Sequence, residues 1–211
     1  WEDTVHEIAV QTFGGTLAQM AKVPGLTFAQ SQPALYEVME KDYPEIFEAI
    51  SRRIREGTWI PVGGMWCEPD LNMPDGEALA RQLLYGKRYF LEKFGVDVTV
   101  GWNPDSFGHS WQLPQIFKRA GITDYVFGRC APAKMPFFRW QGKDGSRVFA
   151  YIPQGWYNVG LQNGLNDIFK EAAGQTPVKE FMILYGAGDH GGGPRESDIA
   201  ALAKFRLDPA Q

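Results

Sequence analysis

Val96-Asp97-Val98-Thr99-Val100-Gly101-Trp102-Asn103-Pro104-Asp105-Ser106-Phe107-Gly108-His109-Ser110 is the stretch on which the reading of this chain turns. The hydrophobic run over 96–102 predicts a buried strand, and Pro104 stops it. Asp105 then stands where a strand hands over to a loop. In β/α folds the carboxyl ends of strands are where chemistry collects. The plainer reading makes Asp105 the N-cap of a short turn, with Ser106 and Gly108 as turn residues.

On either side of this stretch, strands and helices alternate. Helical spacing of apolar residues predicts helices over 2–21, 33–40, 43–56, 75–94, 112–120, 166–173 and 196–205. Gly57, Gly95 and Gly121 mark the ends of three of them. Strands are predicted over 26–30, 58–62, 123–127 and 181–185. Residues 137–152 differ: two apolar runs flank Lys143-Asp144-Gly145, the signature of a hairpin. The alternation implies βαβ units with right-handed crossovers. The expected fold class is α/β, with a mostly parallel, barrel-like sheet, in one domain or most of one over 1–211.

A second segment bears on function: Gly64-Met65-Trp66-Cys67-Glu68-Pro69-Asp70-Leu71-Asn72-Met73-Pro74-Asp75-Gly76-Glu77. If it is extended, Trp66, Glu68, Asp70 and Asn72 point the same way. An indole platform beside two carboxylates and an amide suits a polyhydroxylated ligand. The bland alternative is a solvated strand edge with an acidic face. Pro69 and Pro74 argue against a central strand and for a loop over a pocket.

The 211 residues are 44% hydrophobic, enough for one substantial core, and the net charge of −4 argues against nucleic acid or an anionic membrane as partner. No apolar run is long enough to span a bilayer, and no signal-peptide pattern opens the chain. Trp1 leads directly into a helix without an initiator Met, and both ends read as cut. Cys67 and Cys130 form neither a CxxC pair nor a zinc-finger spacing. Two isolated thiols fit a reducing compartment, with a single disulfide as the alternative, and a cytoplasmic location is expected. Cys67 lacks a histidine nearby in sequence to activate it as a nucleophile.

Near the end, Gly186, Gly188 and Gly191 spell GxGxxG between a predicted strand and a predicted helix, with Asp208 about twenty residues on. The dinucleotide reading fails on mechanism. No strand precedes Asp208, and Asp189 would set a carboxylate where a pyrophosphate must sit. The glycines instead let the backbone pack closely around a pocket, with Asp189 at a strand end. Paired carboxylates such as Asp105 and Asp189 are the equipment of glycosidases.

These segments together resemble glycoside hydrolase family 38, the retaining α-mannosidases. The resemblance spans nearly the whole chain. It rests on Thr27-Phe28-Ala29-Gln30-Ser31-Gln32, Trp59-Ile60-Pro61-Val62-Gly63-Gly64-Met65-Trp66, Glu68-Pro69-Asp70-Leu71-Asn72 with Gly76-Glu77, and Arg81-Gln82. Asn103-Pro104-Asp105-Ser106-Phe107-Gly108 and the loop over 186–194 complete it. The pattern is most similar to the branch of cytosolic and many bacterial enzymes. It implies a barrel-like catalytic domain of the glycoside hydrolase and deacetylase type, acting on mannose-containing oligosaccharides or glycosides. By the resemblance Asp105 is the catalytic nucleophile and a zinc ligand, and Asp189 is the acid/base, with His190 as a rival. Trp66, Glu68, Asp70 and Asn72 are implied sugar-subsite residues, and Arg81 is implied to orient an acid by a charge-assisted pair. Zinc would bind sugar hydroxyls and help distort the ring.

The departures matter as much. Family members carry a His-x-Asp zinc pair upstream of the segment resembling Trp1, and a fourth ligand, a histidine, well beyond the position of Gln211. This chain holds one of those four ligands, too few for zinc's usual four-coordinate site. The only histidines are His6, His109 and His190. His6 falls in the first helix. His109, four residues after Asp105, reads as a satisfied histidine rather than a ligand. The expectation is therefore an inactive piece of a zinc-dependent hydrolase. The alternatives are a non-catalytic carbohydrate-binding fragment and a metal hydrolase of the polysaccharide deacetylase type, which would need a His-x-x-x-His pair that this sequence lacks.

Overall fold

A computed structural model describes residues 2–132, 136–161, 164–175, 180–187 and 191–205. The chain divides into two compact units, one of residues 1–19 with 153–211 and one of residues 20–152.

The larger unit is built on parallel strands. Strand β1 (Phe28–Gln30) leads through helices α2 (Pro33–Asp42) and α3 (Pro44–Arg55) to β2 (Trp59–Pro61). Helix α4 (Gly76–Phe94) leads to β3 (Val100–Asn103), and α5 (Leu113–Arg119) to β4 (Asp124–Phe127). β1 and β2 pair in parallel, Phe28 against Trp59. Just past β2, the Gly63 N–H donates to the Val100 carbonyl at 2.7 Å, which continues the hydrogen bonding into β3. β3 and β4 pair in parallel, Val100 against Asp124 and Asn103 against Phe127. The predicted hairpin forms as β5 (Phe137–Gln141) and β6 (Arg147–Tyr151). β6 joins β4 in parallel and β5 closes the order β3-β4-β6-β5 as an antiparallel strand.

Local chemistry explains the helix limits. The Asp75 carboxylate caps α4 by accepting from the Ala78 N–H at 2.8 Å, and the Gly95 N–H closes its other end on the Phe90 and Leu91 carbonyls. β3 is shorter than the hydrophobic run predicts. Residues 96–99 complete the turn out of α4: the Val96 N–H donates to the Phe90 carbonyl, while Lys87 reaches across to the Val98 carbonyl and Asp97. The core fills with Tyr36, Ile50, Trp59, Leu79, Leu83, Phe90, Leu113 and Phe117 among others, whereas Leu84 and Leu91 on α4 are exposed. Tyr36 is fully buried with its hydroxyl satisfied, donating to the Gln30 carbonyl and accepting from the Trp59 indole at 2.8 Å.

The smaller unit holds most of α1 (Glu2–Lys22), α6 (Leu165–Gln175) and α7 (Glu196–Lys204). Here one expectation is corrected. Residues 181–185 form no strand; they make a single bridge, Tyr185 with Val159, and the Gln154 N–H bonds the Met182 carbonyl. Without a regular ladder, β-propensity alone does not produce a strand. The Gly192 N–H donates to the Thr12 hydroxyl on α1 at 2.8 Å. Gly188, Asp189, His190 and Asp208 lie outside the described residues. No described helix is long and apolar enough to cross a membrane.

Candidate active site

The site is assembled where β3 and β4 end side by side. Asn103 and Phe127 are register partners, so the residues two beyond each strand, Asp105 and Arg129, emerge together. The Pro104 carbonyl fixes this pairing of loops by accepting from the Gly128 and Arg129 N–H groups at 3.2 and 3.0 Å. The Arg129 Nε and Nη2 both donate to Asp105 Oδ1, at 2.8 and 2.5 Å. The side chains are 31% exposed for Arg129 and 43% for Asp105, so the pair is open to a ligand and to solvent screening. The guanidinium also lies over the Phe107 ring, 4.2 Å from its centroid.

Glu68 supports Asp105 from the other side. Its Oε1 accepts the Asp105 backbone N–H at 3.0 Å. Burial, opposed by that hydrogen bond and assisted by the charge of Asp105, pushes its carboxyl up to about 7. The loop carrying Glu68 is itself pinned. Trp66 exchanges backbone bonds with Gln82 on α4 and Ala34 on α2, and the Glu68 N–H donates to the Gln32 side chain. The Cys67 N–H donates to Gln82 Oε1 at 3.0 Å, and its half-buried thiol lies against the same amide. Gly86 on α4 makes this approach feasible, since a Cβ there would lie 2.3 Å from the Gly64 carbonyl oxygen.

The segment over 64–75 is not extended, and its four expected side chains do not share a face. Trp66 stands edge-on to Tyr89 and lines a cavity of about 320 Å³ with Glu37, Tyr85, Arg88 and Glu92. Glu68 turns inward to Asp105. Asp70 faces solvent and accepts the Asn72 and Met73 N–H groups, each at 2.7 Å, in an Asx turn; those bonds hold its carboxyl below the usual range. Asn72 donates to the Phe107 carbonyl at 3.4 Å. It packs so closely on Gly108, whose φ is +153°, that a Cβ there would fall 1.6 Å from Asn72 Nδ2. Leu71 bridges to His109, with its N–H on the Ser106 hydroxyl and its carbonyl receiving the Ser110 N–H.

Of the residues singled out in the sequence, the structure brings Glu68 onto Asp105 and ties Asn72 to the same loop. It places Arg81 on the exposed face of α4, paired with Glu77 at 2.8 Å and lining a groove of about 770 Å³ between α4 and α5. The cation held by Asp105 is Arg129, which sequence reasoning passed over. The signal is a Gly-Arg pair immediately after the predicted strand over 123–127; Arg129 lies two residues past that strand, as Asp105 lies two past the end of β3. Asp189 and His190 fall outside the described residues. Among the described residues no three His, Cys, Asp or Glu side chains gather as a metal site.

Comparison with known proteins gives this geometry its context. The chain is 36% identical over 201 residues to alpha-mannosidase G of Dictyostelium discoideum, an alignment covering 91% of this chain and 18% of that protein. It is 31% identical over 207 residues to an alpha-mannosidase of Saccharomyces cerevisiae, covering 93% of this chain and 19% of that protein. The chain thus spans about a fifth of the length of the curated relatives it matches. The fold is shared with the crystal structure of an alpha-mannosidase from Enterococcus faecalis, at a TM-score of 0.79 and 20% identity, over 95% of this chain and 25% of that one. The profile described as glycosyl hydrolases family 38 N-terminal domain matches residues 1–210, and the chain belongs to that family.

Proposed function

We propose that this chain is part of the catalytic domain of a retaining α-mannosidase, with Asp105 as its nucleophile. The observation that carries the reading is the strand-end carboxylate of Asp105, half open to solvent and oriented from both sides, by Arg129 on its oxygen and Glu68 on its backbone. In the first step an Asp105 oxygen attacks the anomeric carbon as the bond to the leaving oxygen breaks. That oxygen takes its proton from an acid, for which Asp189 is proposed and His190 is the rival. The same group then removes a proton from water, whose oxygen displaces Asp105 from the sugar with net retention. Arg129 positions the attacking carboxylate, while Trp66, Asp70, Asn72 and Arg81 remain proposed contacts of the sugar.

Zinc is proposed for a longer parent only. The described residues do not fit it by themselves, because no cluster of three ligand-type side chains forms around Asp105. The 211-residue chain alone is expected to release no nitrophenol from a nitrophenyl α-mannoside. Release that disappears in Asp105→Ala would overturn that expectation. For a full-length parent, a slow fluorinated α-mannosyl substrate should leave a sugar ester on the peptide carrying Asp105. An ester on another residue, read by mass spectrometry, would overturn the nucleophile assignment.

A second reading, sugar binding without catalysis, is favoured by the Trp66 cavity with its aromatic rings and flanking charges. Mannoside binding that survives Asp105→Ala and is lost in Trp66→Ala would support it. Two free cysteines, Cys67 and Cys130, support the proposed cytoplasmic location.

A further inference from the structure

Behind the Asp105–Arg129 pair lies a chain of hydrogen bonds that the proposed reaction does not use. His109 Nε2 is 2.9 Å from the Arg129 carbonyl oxygen, and its Nδ1 is 3.0 Å from the Tyr125 hydroxyl. A carbonyl only accepts, so Nε2 carries the hydrogen. In a neutral imidazole Nδ1 is then the acceptor, and the Tyr125 hydroxyl donates to it. Both groups are kept neutral by their surroundings. Burial holds His109 below its ordinary range, and burial, with the charge of Glu68 adding to it, holds the Tyr125 phenol well above its own. The imidazole is wedged against Phe127, 4.5 Å between ring centroids, with Tyr125 and Trp140 completing the aromatic surround.

These contacts close a loop. Tyr125 lies inside β4, fully buried, and orients His109; His109 fixes the backbone of Arg129; Arg129 grips Asp105; Glu68 holds the Asp105 N–H. His109 is anchored a second time through the Leu71 bridge, on the loop that carries Glu68. A histidine with both ring nitrogens committed to protein groups is a strut.

We propose that His109 is a positioning residue for Asp105, acting through the Arg129 carbonyl, which fixes its tautomer, while the Tyr125 hydroxyl holds the ring in place at Nδ1. Its catalytic consequence rests on the reading of Asp105 as nucleophile, whereas its structural consequence does not. Outer-shell partners of metal ligands typically change affinity or activity by about ten- to a hundredfold when removed, and a loss at the lower end of that range is expected here.

The first readout is nitrogen NMR on the whole chain. His109 should show a bare Nδ1 and a protonated Nε2, and the Arg129 Nε–H should exchange slowly with water. Tyr125→Phe removes one oxygen and leaves the ring in the core. It should shift the His109 Nδ1 resonance, as that nitrogen loses its donor, and speed Arg129 Nε–H exchange severalfold. His109→Phe should likewise speed the Arg129 Nε–H exchange, whereas His109→Gln, which retains a donor able to reach the Arg129 carbonyl, should restore most of the protection. If His109→Phe does not fold, Tyr125→Phe decides. Unchanged Arg129 Nε–H exchange in a folded Tyr125→Phe chain would overturn the proposal.

The second readout is kinetic, in a full-length parent active on a nitrophenyl α-mannoside. Tyr125→Phe should lower kcat about tenfold while KM stays within about twofold, since the substrate contacts remain. An unchanged kcat would overturn the positioning role. Full activity in Asp105→Ala would instead overturn the nucleophile reading, and the NMR result would stand apart from it.

Discussion

Glu68 and Asp70 sit two residues apart on one loop and meet opposite fates. Glu68 is drawn inward onto the Asp105 N–H, and its carboxyl titrates near neutrality. Asp70 faces water, bent back on its own backbone, and its carboxyl is held below the usual range. The difference is set by the chain between and around them. Pro69 and the Asx turn at Asp70 break the alternation that would have put both acids on one face. What each acid does follows from whether its partner is another loop or its own neighbours.

Removing the platform under the inward half should have the largest effect. Gly86→Ala drives a Cβ into the Gly64 carbonyl and the Met65–Trp66 peptide, and should cost at least about 3 kcal/mol in denaturant unfolding. A wild-type midpoint would mean that the loop does not rest on α4.

Gly108→Ala comes next, because its Cβ would overlap Asn72 Nδ2 and its φ of +153° disfavours any side chain. A loss of about 2 kcal/mol is expected. Adding Asn72→Ala should recover part of it, and strict additivity in the double-mutant cycle would show that the two loops are uncoupled.

The contrast in titration gives the third test. Unfolded, Glu68 binds its proton only below its ordinary 4.5; folded, it binds it up to about 7. Folding therefore takes up a proton between those values, and the stability Glu68 contributes is full below about 4.5 and is lost as pH rises through 7. Glu68→Gln should flatten that decline, by on the order of 1–2 kcal/mol across the window. An unaltered pH profile would place Glu68 in water. Smallest of all, Asp70→Ala should lower Tm by only about 2 °C, because the turn it closes is exposed.

The order of elements in the larger unit is legible from residues alone. Apolar spacing, the Asp75 cap, the Gly95 stop and the Lys143-Asp144-Gly145 turn each act within a few residues of themselves. Asp105 is legible for the same reason, since Pro104 announces the strand end. Arg129 is not, because its role comes from the register of β3 against β4, a relation between segments 24 residues apart. Tyr125 and His109 look like core and turn residues in sequence and become a relay only when the strand end is folded. The strand expected over 181–185 does not form for the converse reason: its composition is strand-like, but no described strand pairs with it as a ladder.

The two cysteines give this arrangement a built-in clock. Cys130 is exposed one residue past Arg129, while Cys67 is half-buried against Gln82 one residue before Glu68. A thiol reagent should mark Cys130 at the rate of an open sulfur and Cys67 only when its loop lifts from α4. The ratio of the two labelling rates then measures the free energy of opening on one side of Asp105, with no substrate, metal or engineered probe.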